Sequence, residues 1–391
     1  DDYAPSWYTP YGYLTYSEYE NWSDVNNWAL DLYDTDLTLS DEIKRIVDDL
    51  KVEDKAHSAA RLTQWVQDNI RYFGVELGVN SHLPSSPSET FQRRYGDCKD
   101  KSILLIAALR YLGIEAHPAL VSTIISKKLL EESPSPGAFN HVIVRFKIED
   151  DVYWVDPTMV NQRGTLQQMS FPDLHWGLVV KEGTEELTKI EPISELQLRG
   201  KVNVTHTIQL SDNPNTGGYD ILTDYEGWQA EQFRNYVEDV GKVASTKDHL
   251  DYYAKYYEQI SSDGVISVTD ENLDNRISVN ERYSWEQTAS GNESNSKLTF
   301  YASQVLDNIW LPNIRIRKAP FVLPSYLDVD LEFQIKANQD DIVWFDEVNV
   351  EVRKNKHWFD YQNAIDQHLS HPLVYQSVCA DLNLVDVPHS D

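Results

Sequence analysis

The sequence predicts an α+β protein, with helices packed on an antiparallel sheet in its first half and a β-rich α+β domain after it. Three observations carry this. From Asn21 to Leu112 apolar residues recur at spacings of three and four, the helical period. Beyond Gly113 most apolar runs alternate with period two. The two patterns are segregated along the chain rather than interleaved, which argues against a parallel doubly wound sheet. At 391 residues the chain exceeds what one core usually organises. The expected division is a lead-in over 1–40, a first domain over 41–198 and a β-rich domain over 199–391, the boundary falling in the run Pro192–Gly200.

Residues 1–20 are rich in Tyr, Pro, Ser and Asp without a period and read as an extended lead-in lying on a neighbour. Trp22, Val25, Trp28, Ala29, Leu32 and Tyr33 then mark a short helix. Ser40 caps a second helix with Ile43, Ile46, Val47 and Leu50 as its stripe, and Lys55 to Tyr72 forms a third around Ala59, Leu62, Val66 and Ile70. Phe73 to Pro87 reads as loop. Asp97 is a good N-cap, Asp100 can reach back in a capping box, and Gly113 supplies the left-handed stop. A helix over Cys98 to Leu112 follows, almost wholly apolar from Ile103 and hence buried. Ala116–Thr123, His141–Ile148 and Val152–Val155 read as strands, the last two joined as a hairpin through Glu149-Asp150-Asp151, and Lys127–Gly137 as a mobile loop. In the second half Val202–Leu210, Gly218–Tyr225, Val265–Asp270, Ile277–Trp285, Lys297–Ala302 and Val329–Ile335 read as strands, with a tyrosine-rich helix from Trp228 to Tyr257.

Composition narrows the function. With 34 Lys and Arg against 63 Asp and Glu the net charge is −29, a field that repels phosphate backbones and anionic lipid and argues against nucleic-acid partners. No apolar run reaches the length of a membrane span. The chain opens on Asp1, not Met, so a preceding segment is expected to have been removed. Two cysteines, Cys98 and Cys379, make no disulfide framework and no zinc spacing, and no glycine-rich nucleotide fingerprint is present. No metal or cofactor is therefore expected. Asn21-Trp22-Ser23 and Asn292-Glu293-Ser294 match the glycosylation pattern, which is too short to be specific.

The chemistry concentrates around Cys98. A thiol in the first turn of a helix faces unpaired N–H groups and the positive end of the macrodipole, and Arg93, Arg94, Lys99 and Lys101 add positive charge nearby. A thiolate nucleophile needs a base and a group to orient that base. His141 follows 43 residues later at the start of one strand, and Asp156 a further 15 residues on at the end of its hairpin partner. That register brings the two within about two residue steps of each other. Taken singly, Cys98 is also a small core residue, His141 a core or edge histidine and Asp156 a turn aspartate before proline. Together they are hard to obtain by accident.

These residues carry a resemblance. Gly-Asp-Cys-Lys-Asp-Lys with its apolar helix, Phe-Asn-His-Val-Ile-Val and Tyr-Trp-Val-Asp-Pro-Thr are similar to the motifs of the transglutaminase-like core, the papain-like cysteine fold, over roughly Asp41 to Ile190. The resemblance implies a Cys98-His141-Asp156 triad acting through a thioester on amide or peptide bonds, with hydrolysis slightly favoured over transamidation. It implies a protein or peptide substrate, and a bacterial, extracytoplasmic setting that scarce cysteine allows as well as the cytoplasm. An N-terminal β domain of that bacterial group is not seen ahead of the core. The Cys98 N–H is the natural first oxyanion donor, and Tyr72, Trp65 and Asn80 are candidates for the second. Two alternatives stand beside this: a binding or assembly module that keeps an enzyme-like core, motivated by exposed-looking tyrosines after Lys201, and masking of Cys98 by Cys379.

Overall fold

The computed structural model describes residues 4–33, 36–74, 81–211, 213, 215–257, 259–286, 290–292, 295–297, 319–320, 327–336 and 380–382. Cys379, Asn80 and most of the run Lys297–Ala302 lie outside them. The lead-in runs along residues 124–134: Ser6 Oγ donates to Ile124 O at 3.0 Å, the Ser17 hydroxyl to Pro134 O, and Lys127 sits 4.1 Å above the Trp7 ring. Helices α1 (Trp22–Tyr33), α2 (Asp41–Leu50) and α3 (Lys55–Asn69) follow. Asn21 Oδ1 accepts the Asp24 N–H, Ser40 Oγ accepts the Ile43 N–H, and Asp54 accepts those of Ala56 and His57, so all three starts are closed by side-chain caps.

The stretch expected to be loop ends in a further helix, α4 (Pro87–Arg93), after the two-residue strand β1 (Arg71–Tyr72). Proline stands in its first turn and Ser86 with Glu89 forms a capping box, so the local signal was present under the surrounding prolines and serines. The strand β2 (Tyr95–Gly96) pairs in parallel with β1 and delivers the chain to α5 (Cys98–Tyr111). Here the expected Asp97–Asp100 capping box is formed, and Gly113 takes φ 72 to end the helix. Every residue of α5 from Cys98 to Leu109 is buried, so the helix is the axis of the main core.

Strands β3 (Glu115–Val121), β4 (His141–Ile148), β5 (Asp151–Val155), β6 (Trp176–Val179) and β7 (Thr188–Lys189) form an antiparallel sheet in the order β5-β4-β3-β6-β7. Glu149 and Asp150 alone make the β4–β5 turn, with Asp151 already in the strand. Helices α2, α3 and α5 cover one face through Leu62, Val66, Leu105, Val144 and Phe146. Phe171, Leu174 and Ile190 cover the other. The segment expected to be mobile folds into 3₁₀ turns at Ser126–Glu131 and Pro136–Ala138, anchored by fully buried Leu129.

A second sheet begins with β8 (Gly200–Leu210) and β9 (Thr216–Gly227), followed by α6 (Trp228–Tyr253), which is kinked at Gly241 where φ is 79. Strands β10 (Gln259–Ser262), β11 (Ser267–Glu271) and β12 (Arg276–Glu286) complete its central part. The short pair β13 (Ser290–Asn292) and β14 (Asn295–Lys297) stands apart, while β15 (Leu327–Lys336) and β16 (Ala380–Leu382) extend the sheet beyond β8. Helix α6 packs on one face, and Tyr219, Tyr253, Tyr257 and Tyr283 lie buried between. Among the described tyrosines of this half, Tyr219, Tyr253, Tyr257 and Tyr283 are core rather than exposed, because strand alternation and the helix stripe turn them onto the same interface.

Gly96 has a packing reason. A Cβ there would meet Asp100 Cβ at 2.6 Å and Thr90 Cγ2 at 3.2 Å, so α4 and the first turn of α5 close on bare backbone. Gly96→Ala is expected to lower stability by about 1–3 kcal/mol in urea unfolding. An unchanged midpoint would mean that Asp100 shifts freely and the cap is slack.

Candidate active site

Three elements meet at one end of the five-stranded sheet. Cys98 opens α5 and is only 6% exposed, in an apolar cluster with Val25 and Ala29 of α1, Leu120, Val142 and Leu178. Trp22, Trp28, Tyr33 and Phe139 pack against that cluster, giving the cysteine an aromatic flank. Around it the Asp97 carboxylate accepts the N–H groups of Lys99 and Asp100, and Asp97 O accepts that of Lys101. The Cys98 N–H is left without a protein acceptor among the described residues.

His141 begins β4, and Asp156 directly follows β5, whose last pair with β4 is Val144–Val155. His141 Nε2 and Asp156 Oδ2 are 2.7 Å apart. A carboxylate only accepts, so Nε2 carries the proton and the other ring nitrogen is left for the Cys98 sulfur. Burial alone would lower the imidazole pKa. The hydrogen bonds and charges of Asp156 and Cys98 outweigh it and raise the value from 6.5 to about 10. Asp156 is likewise pushed up by burial, yet His141 and the Thr158 N–H and hydroxyl, at 2.8 and 2.7 Å, hold it below the usual carboxylate range.

The cations read as crowding Cys98 are engaged elsewhere. Lys99 is buried in an ion pair with Asp97, and Arg93 reaches Asp100 at 3.1 Å. Arg94 lies 4.1 Å above the Phe91 ring. Lys101 is fully buried, donates to Ile70 O at 2.6 Å, and is pushed down to about 8 by burial against the opposing pull of Asp156 and Asp68. Of the oxyanion candidates, Tyr72 sits opposite Gly96 and is 47% exposed. Trp65 stacks on Phe91 at the α3–α4 contact. Asn80 lies outside the described residues.

Sequence reading missed three groups. Thr158 clamps Asp156 from two residues away. Gln67, on the buried side of α3, donates to Asp156 O at 3.0 Å. Tyr33 has its phenol pushed well above its ordinary value, first by burial and then by Cys98, Asp97 and Asp100, so it stays a donor. A polar Gln67 in the stripe of Ala59, Thr63, Val66 and Ile70 was the available signal for the second. Among the described residues no three His, Cys, Asp or Glu side chains converge to hold a metal ion.

Residues 44–157 match the family model of the transglutaminase-like superfamily, a segment containing Cys98, His141 and Asp156. That segment is similar to a transglutaminase-like core. No curated protein matches the chain. Among solved structures, one from Parabacteroides distasonis described as a "putative protease" is similar at 11% identity with a TM-score of 0.36, covering 67% of this chain and 53% of that one. This chain thus spans about half of that protein's length.

The imidazole of this transglutaminase-like core contributes stability fully below pH 6.5, its ordinary value, and loses it as pH rises through about 10. Asp156→Asn removes the negative charge facing His141, so the His141 pKa should fall from about 10 toward 6.5 in an NMR titration. A value unmoved by the substitution would show that the carboxylate is not what holds the proton.

Proposed function

We propose that the protein is a cysteine-dependent acyl-transfer enzyme acting on amide bonds of a protein or peptide, with Cys98 as nucleophile, His141 as acid and base and Asp156 as its orienter. The observation that carries this reading is the imidazole held between a buried carboxylate and the sulfur. The reading is also supported by the transglutaminase-like match over the same three residues.

The thiolate attacks the carbonyl carbon, forming the C–S bond and placing negative charge on oxygen, toward which the unbonded Cys98 N–H is available. Imidazolium His141 protonates the leaving nitrogen as the C–N bond breaks, leaving a thioester. Neutral His141 then takes a proton from water, whose oxygen displaces sulfur to give the acid, and the thiolate–imidazolium pair returns. An amine in place of water gives transamidation by the same steps. Hydrolysis is the favoured outcome because water is always present. Tyr33, packed against the cluster around Cys98, is a further candidate donor for charge stabilisation beside Tyr72, Trp65 and Asn80. No step draws on a cofactor. The alternative of a binding or assembly module that keeps an enzyme-like core draws less support from Tyr219, Tyr253, Tyr257 and Tyr283, which are packed inward.

Cys98→Ala should abolish turnover of a peptide or glutaminyl substrate that the parent cleaves or transfers, a loss of at least about a thousandfold. Equal turnover of variant and parent, measured by mass spectrometry of products, would end the reading.

A further inference from the structure

The loop following Asp156 is held by both halves of the molecule. Gln67 Nε2 of α3 donates to Asp156 O at 3.0 Å and to Gln162 Oε1 at 2.8 Å, using both of its protons. Gln162, 1% exposed, donates in turn to Ser170 O at 2.7 Å and to Glu231 Oε2 at 3.2 Å. Glu231 belongs to the first turn of α6, on the second sheet, and is 3% exposed.

Four donors converge on this carboxylate: Ser170 N at 2.9 Å, Asn275 Nδ2 at 2.9 Å, Gln162 Nε2 and the Ser170 hydroxyl. Asn275 also donates to Gln168 O at 2.9 Å and accepts from Arg234 Nη1 at 2.6 Å, while Arg234 pairs with Asp270. The Gly164 N–H donates to Asn272 O at 2.8 Å. An acceptor-only group is thus specified at Glu231 by its surroundings, since an amide nitrogen would face a donor at either oxygen position.

A buried carboxylate is costly unless every lone pair is used. Here its partners all belong to or brace residues 162–170, the stretch that closes back on Asp156. We propose that Glu231 is a positioning residue for the triad: through Gln162 and Gln67 it fixes the main chain at Asp156 and so the aim of its carboxylate at His141. The inference rests on the triad reading above. It makes α6 and the β11–β12 turn part of the active site's support rather than an appended unit.

The test uses the full chain and iodoacetamide, with Cys98 modification followed by peptide mapping across pH 5 to 9, alongside the His141 NMR titration. Glu231→Gln is expected to slow Cys98 alkylation near pH 6 by about 10- to 100-fold and to lower the His141 pKa, in the same direction as Asp156→Asn. Gln162→Ala, which cuts the same chain while leaving Ser170 and Asn275 on Glu231, should do the same and serves where Glu231→Gln does not fold. Glu238→Ala removes an acceptor of Asn161 in the same contact, at 2.6 Å, and should change neither readout. If Asp156→Asn alters both readouts while folded Glu231→Gln and Gln162→Ala leave them at parent values, Glu231 does not position the triad and the inference fails alone. If Asp156→Asn itself changes nothing, the triad reading has failed first. An equal effect from Glu238→Ala would assign the change to general loosening of the contact and overturn the proposal.

Discussion

A carboxylate kept charged out of water is the constraint on which the rest of this site depends. Asp156 is buried, and burial favours its neutral form. It stays ionised because one oxygen takes His141 and the other takes the N–H and hydroxyl of Thr158. Those partners exist only if β4 and β5 keep their register to Val144–Val155 and the chain turns back at once after the strand. The two-residue turn at Glu149 and Asp150 sets that register at the far end of the hairpin. A slip by one residue would reverse the faces of the strand, moving Val144 and Phe146 out of the main core and displacing His141 from Asp156. The His141–Asp156 contact and the core packing are therefore secured by the same pairing.

Cys98 is placed by a different device. Asp97 and Asp100 use their side chains to satisfy the first N–H groups of α5 and the chain entering it, while bare Gly96 lets α4 close on that turn. Ser85 N also donates to Asp100 Oδ1 at 2.7 Å, tying the loop before α4 to the same carboxylate. Among the described residues the Cys98 N–H at this end has no protein acceptor, as the proposed oxyanion role requires. Of the cations of the motif, Lys99 pairs with Asp97 and Arg93 with Asp100. Local positive potential at the sulfur thus comes from the helix end and the His141 imidazole rather than from the lysines and arginines of the motif.

Much of this was legible because it is local. The capping box, the glycine stop and the β4–β5 hairpin each lie within a short window, and Cys98, His141 and Asp156 fall at their ends. The α4 helix was obscured by Pro87 and neighbouring serines, which mark loops as readily as helix starts. Leu129 gave no periodic signal, so the segment around it looked free although that one side chain anchors it. The second half misled on its tyrosines, since whether Tyr219 or Tyr283 is inside depends on the β9–β12 pairing, which no short window shows. Gln67, Gln162 and Glu231 come together across separations of 95 and 69 residues and are ordinary polar residues until the fold joins them.

The acidic composition takes on a different meaning once the buried acids are separated from the rest. Asp97, Asp100, Asp156, Glu231 and Glu281 are all buried in a chain of net charge −29. Each has dedicated partners, with Glu281 taking Tyr283 and His249, whose imidazole is lowered by burial but raised on balance by that contact. Removing one partner of a buried charge costs about 3–5 kcal/mol, whereas an exposed carboxylate contributes little. Among the described residues most other acids are at the surface, while these buried ones are spent on geometry. Two of them set the cysteine, one sets the histidine, and Glu231 joins the second sheet to the loop behind that histidine's partner. Loss of any of these would distort a specific angle or distance before it changed the net charge in any way that matters, which ties the order of the site to hydrogen bonding more than to the protein's overall field.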